Sequence, residues 1–97
     1  MKVRFLLPAR QEFREAIFAY NSERSGLGDE FRDCVWEAIQ RIMEFPTAWH
    51  PLSGVMRRCR TRRFPYALIY ESYDEELVLI AVAHLHRAPT YWRGRQR

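Results

Sequence analysis

The chain predicts an α+β domain: an opening strand, a helical hairpin and a three-stranded antiparallel meander, with the helices packed on one face of a four-stranded sheet. Three observations predict it. Apolar residues recur at helical spacing through two successive segments. Runs of β-forming residues, separated by short turns, fill the second half. The last of those runs is apolar without alternation.

Val3-Arg4-Phe5-Leu6-Leu7 reads as the first strand, stopped by Pro8. Ala9, Phe13, Ala16, Ile17 and Tyr20 then recur at steps of three and four, one stripe of a helix over residues 9–22. Glu12 and Glu15, near its start, suit the helix dipole. Ser25-Gly26 breaks the pattern, with Ser25 a candidate N-cap and Asp29 and Glu30 in the next first turn. Leu27, Phe31, Cys34, Val35, Ala38, Ile39 and Ile42 form the second stripe. That helix ends near residue 44, because Pro46 disfavours helix at Phe45.

Pro46, Pro51, Ser53 and Gly54 mark residues 46–54 as a loop. Three strands follow, over 55–64, 66–73 and 77–83, with Asp74-Glu75 as a turn. The last strand lacks a polar face, so it is expected to be central rather than at an edge of the sheet. The arginine-rich strand over 55–64 is its opposite, and is expected at the outside.

Composition sets the class. Ninety-seven residues make one domain, residues 1–97, and 47% apolar with 14% aromatic residues excludes a disordered chain. No apolar run approaches the roughly 18 residues of a membrane span. The apolar stretch after Lys2 and Arg4 is too short for a secretion signal, so a cytoplasmic protein is expected. Cys34 and Cys59 lack C-x-x-C spacing and read as reduced structural thiols.

The charge is asymmetric. Residues 1–54 hold seven basic and eight acidic groups, a net of −1, while residues 55–97 hold nine and four, a net of +5. Of the 16 basic residues only Lys2 is a lysine. Arginine suits sites where a planar fork of donors meets phosphate or carboxylate, so an anionic partner is implied, nucleic acid or an acidic protein segment. The plainer alternative is solubility and surface ion pairing.

Arg57, Arg58, Arg60, Arg62 and Arg63 crowd one predicted strand. Alternation puts Arg58, Arg60 and Arg62 on one face, and Arg57 and Arg63 on the other with Cys59 and Thr61. Arginines spaced about 7 Å apart match a phosphate track or an acidic peptide. They also match a solvated edge that discourages aggregation. His84 and His86 close the last strand. With Arg58, Arg60 or Arg87, and Tyr91, they offer a base, an acid and a cation for RNA cleavage. A strand-end histidine bonded to the backbone is the plainer reading. His50 lies in a separate loop, no third ligand is evident, and neither metal nor cofactor is expected. Tyr91, Trp92 and Arg93 either engage a partner or pin the tail to the core. Trp36 and Trp49 read as structural.

Several stretches, taken together, resemble the RelE/ParE toxins. They are Gly54-Val55-Met56-Arg57-Arg58, then Arg62-Arg63-Phe64-Pro65-Tyr66-Ala67-Leu68-Ile69-Tyr70, then Ile80-Ala81-Val82-Ala83-His84, and the tail Arg87-Ala88-Pro89-Thr90-Tyr91-Trp92-Arg93-Gly94-Arg95. The start at Val3-Arg4-Phe5 and the helix ending Ile42-Met43-Glu44-Phe45-Pro46 are similar too. The resemblance implies a hetero-oligomer with a cognate antitoxin, whose C-terminal segment wraps the toxin. Arg57, Arg58, Arg60, Arg62, Arg63, His86, Trp92, Arg93 and Arg95 are then the binding candidates. It also implies one of two targets. ParE-like members bind DNA gyrase; RelE-like members cut messenger RNA on the ribosome, without metal. The Phe-Pro-Tyr strand and Pro-x-x-Trp tail look more like the ParE and plasmid-stabilisation side. A non-toxic stabilisation protein that only pairs with its antitoxin is a third reading.

Overall fold

The structure, a computed structural model, describes residues 1–88 and 90–95; Pro89, which belongs to the tail motif, and Gln96 and Arg97 lie outside the described residues. The chain runs β1 (Lys2–Phe5), α1 (Leu7–Glu23), α2 (Leu27–Glu44), β2 (His50–Ser53), β3 (Met56–Arg60), β4 (Tyr66–Ser72) and β5 (Glu76–His84). The five strands form one sheet in the order β1-β5-β4-β3-β2. β1 lies parallel to β5, and every other pairing is antiparallel.

The α+β class, the helical hairpin and the central place of the last strand agree with the expectation. The strand count does not: the sheet has five strands rather than four. Residues 50–53, expected in a loop, form β2 and pair with β3 through His50 opposite Arg58 and Pro51 opposite Arg57. Proline is tolerated there because β2 is an edge strand, where an absent N–H leaves no ladder bond unmade. β3 is therefore not the outer strand, and His50 does not sit in a loop.

β3 also stops at Arg60 instead of running to residue 64. The Thr61 hydroxyl sits 3.1 Å from the Phe64 carbonyl and 3.2 Å from that of Tyr66, and the Thr61 N–H donates to Tyr66 at 3.0 Å. Arg63 takes a left-handed φ of 68° to close this turn. At the other end of the chain β1 is shorter than expected and α1 begins at Leu7. Pro8 lies in its first turn, where the missing N–H has no helical partner to lose.

The two layers have separate cores. Between helices and sheet, Phe13, Phe31, Val35, Ile39 and Ile42 pack on Cys59, Leu68, Tyr70, Leu79 and Val82. Each such side chain contributes about 1.5–3 kcal/mol of transfer free energy, so this layer holds the domain together. Trp49 packs against the same core, and Trp36 stacks edge-on against Phe5. Tyr70 donates to the Pro46 carbonyl at 2.7 Å, and burial pushes its phenol up to about 12. Cys34 and Cys59 are free thiols, and burial raises that of Cys59.

On the far face a smaller cluster joins Leu6, Ile69, Val78, Ile80, Ala81, Ala83 and Trp92. A register shift makes Ile69 face Ala81 and Tyr70 face Leu79, so Ile80 and Ala81 both turn to this far face. The C-terminal tail covers part of it.

Candidate functional site

The five arginines of the 57–63 segment part company. Arg57 points to the helix layer and donates to the Trp49 carbonyl at 2.8 Å. Arg62 and Arg63 lie beyond the strand and reach back to α2, Arg62 to Glu37 at 3.4 Å and Arg63 to Glu30 at 2.9 Å. That second contact holds the Glu30 carboxyl below its usual range. The expected face shared by Arg58, Arg60 and Arg62 therefore reduces to Arg58 and Arg60, because the chain turns at Thr61 before alternation can carry Arg62 to the far side.

Arg58 and Arg60 stand opposite Ile69 and Ala67 in the ladder, on the face away from the helices. Among the described residues neither guanidinium meets a carboxylate. Arg93 is also without one and lies over the Trp92 ring at 5.5 Å. Arg10 and Arg14 share this lack, but on exposed positions of α1.

A groove of about 290 Å³ opens between the far face and the tail. Leu52, Ala67, Ile69 and Ala83 form its sheet side; Thr90, Tyr91, Trp92 and Arg93 form its tail side. Arg58, His84 and Arg87 also line it, whereas Arg60 does not. His84 makes edge contacts with the rings of Tyr66 and His86, each at 5.1 Å. Its Nδ1 accepts the His86 N–H at 3.1 Å, which leaves the proton of the neutral ring on Nε2. His86 itself is exposed. A larger concavity, about 1160 Å³, is an open notch at the β4–β5 turn beside Asp74, Glu75 and Glu76, at the opposite end of β5 from His84.

The tail is tied down on two sides. Trp92 is 4% exposed in the far-face cluster. Arg95 makes a two-pronged contact with Glu12, both bonds 2.9 Å. Arg87 lies 3.7 Å above the Tyr91 ring and 3.7 Å from Glu12. Burial first, then the neighbouring Glu12 carboxylate, push the Tyr91 phenol up to about 12. From sequence Glu12 suits only a helix dipole; nothing in its spacing marks a carboxylate that meets an arginine 83 positions later.

The groove has an apolar floor and a cationic rim. Such a lining suits apolar and acidic side chains of a ligand. The groove also gathers His84, Arg58, Arg87 and Tyr91 of the residues expected for cleavage of RNA, but not Arg60 or His86. No cluster of His, Cys, Asp and Glu with metal-binding geometry occurs among the described residues, and no described helix is long and apolar enough to cross a membrane.

Neither a protein-family model nor a curated protein matches the chain. Among solved structures, its fold is similar to that of a chain from the "Chromosomal ParDE TA system from P. aeruginosa", with a TM-score of 0.75 and 11% sequence identity over 88% of this chain and 96% of that one.

Proposed function

We propose that this chain is the toxin of a type II toxin–antitoxin pair, of the ParE kind. In this reading it acts in the cytoplasm by binding DNA gyrase, and it is silenced when the C-terminal segment of a cognate antitoxin lies in the groove. The observation that carries the reading is the groove itself. Its rim arginines Arg58 and Arg93 have no carboxylate among the described residues, and its floor is apolar. An acidic amphipathic segment satisfies both features at once. The fold it shares with a chain of a ParDE system supports the same reading.

A second reading, a ribosome-dependent messenger ribonuclease of the RelE kind, draws on the gathering of His84, Arg58, Arg87 and Tyr91 in one groove. The chemistry available there favours binding. General acid–base catalysis works best with groups that titrate near the working pH. The Tyr91 phenol is pushed up to about 12, and Arg87 is engaged with Glu12 and the Tyr91 ring. Of the two histidines only His84 lines the groove, with the exposed His86 beside it but outside the lining, so the groove does not itself hold a base and an acid together.

The experiment is a gyrase supercoiling assay with purified protein, repeated with the purified product of the adjacent upstream reading frame. The reading expects inhibition that this product relieves. Codon-linked cuts in translated messages, with supercoiling untouched, favour the ribonuclease. No growth defect on inducing the chain alone leaves the non-toxic stabilisation protein.

A further inference from the structure

The polar half of the tail's attachment runs through one carboxylate, Glu12. β1 ends at Phe5, opposite Leu79, so among the described residues β5 has no neighbouring strand on that side from Ile80 onward. The backbone groups left open there must find partners elsewhere. Glu12 Oε1 accepts the Val82 N–H at 3.1 Å, and Arg95 Nη1 donates to the Ile80 carbonyl at 3.0 Å. The same two side chains bond each other twice at 2.9 Å, with Glu12 only 13% and Arg95 only 17% exposed. The ion pair thus stands in for a missing strand.

The pair also fixes the tail. Gly94, with a φ of +87°, turns the chain so that Arg95 comes back to α1. Tyr91 lies under the guanidinium of Arg95 at 5.1 Å as well as that of Arg87. Trp92 is buried on the opposite face of the sheet. Residues 90–95 therefore straddle the open edge of β5, gripped by Glu12 on one side and by apolar packing on the other.

We propose that Glu12, acting through Arg95, is a positioning residue: it holds the tail as one wall of the groove and so sets partner affinity without touching the partner. The inference rests on the reading of the groove as a partner site. A free tail lowers affinity because the partner must then order both itself and the wall.

The test compares Arg95→Met, Arg95→Lys and Arg58→Glu in the full chain, with folding checked by circular dichroism. Two measurements on the free protein report the tail: trypsin cleavage after Arg93, and hydrogen exchange of the Trp92 indole. A third is affinity for the purified product of the adjacent upstream reading frame. Arg95→Met is expected to speed cleavage and exchange by about tenfold or more and to weaken binding by a similar factor. Arg95→Lys, which keeps the charge but not the two-pronged fork, restores part of both. Arg58→Glu leaves the tail ordered and loses binding. A tail that stays ordered in Arg95→Met, or one that is released with affinity unchanged, overturns the positioning role. Unchanged affinity in Arg58→Glu overturns the groove reading itself.

Discussion

The side-chain carbonyl of Asn21 accepts the backbone N–H of Gly28 at 2.7 Å, and this one bond both closes the helical hairpin and satisfies the start of α2. The expected cap, Ser25, does not serve. Gly26 takes the N-cap position at a left-handed φ of 88°, and no side chain caps from there. Gly28 is buried where the helices meet, and a methyl group on it would collide with the Ile17 carbonyl. Asn21→Ala is expected to lower stability by about 1 kcal/mol, the usual loss of a cap. Gly28→Ala is expected to cost about 3 kcal/mol, because the obstacle is backbone and cannot swing away. Urea unfolding measures both, and equal effects from the two would contradict the close-approach account.

Glu12 and Arg95 should behave unlike the surface pairs. Removing one member of a largely buried pair leaves a desolvated charge, so Glu12→Ala is expected to cost about 3 kcal/mol. Arg4 and Glu76, bonded at 3.1 Å but more exposed, should yield less than about 1 kcal/mol on either truncation. A double-mutant cycle on each pair checks the contrast.

Gly94 offers a milder version of the same test. Among the described residues nothing lies within 4 Å of an added Cβ there, so Gly94→Ala meets the backbone cost of a positive φ, about 1–2 kcal/mol. The expected signature is faster exchange of the Trp92 indole with little change in the helix-side core, read by hydrogen exchange.

Stability should fall steeply in alkali. The phenols of Tyr70 and Tyr91 are pushed up to about 12 from an unfolded value of 10.0. Between those values the folded state holds protons that the unfolded state has released. Their contribution is thus fully present below pH 10 and is lost as pH rises through 12. Each tyrosine adds at most about 1.4 kcal/mol per pH unit to the slope. Tyr70→Phe should flatten the decline between pH 10 and 12 in denaturant titrations, even if it lowers stability at neutral pH.

The arginines of β3 should separate by face. Arg58→Glu and Arg60→Glu leave stability within about 0.5 kcal/mol, as surface changes do. Arg57→Ala should lose about 1–2 kcal/mol, because it removes the charged donor on the Trp49 carbonyl. Thermal unfolding of the three variants tests this order.

Much of this architecture was legible from local pattern. The stripes of Phe13 and Ala16 and of Phe31, Val35 and Ile39 predicted the helices, and the unbroken apolar run through Leu79 and Val82 predicted a central strand. The failures came where tertiary context outweighs local signal. Pro51 reads as a loop residue, yet an edge strand accepts it. Alternation carried Arg62 to the wrong face because the Thr61 turn is made by side-chain bonds to carbonyls, which no periodicity records. Trp92 in the far-face cluster and Glu12 beneath Arg95 are long-range meetings, invisible to any window along the chain.

The central claim is that the groove between the far face and the tail receives the partner. Hydrogen exchange of the chain, alone and saturated with the purified product of the adjacent upstream reading frame, tests it most directly. New protection is expected over residues 56–60 and 83–95, where Arg58, Ala83, Tyr91 and Trp92 line the groove. Protection confined to the outer surfaces of α1 and α2, with those two segments unchanged, would contradict it.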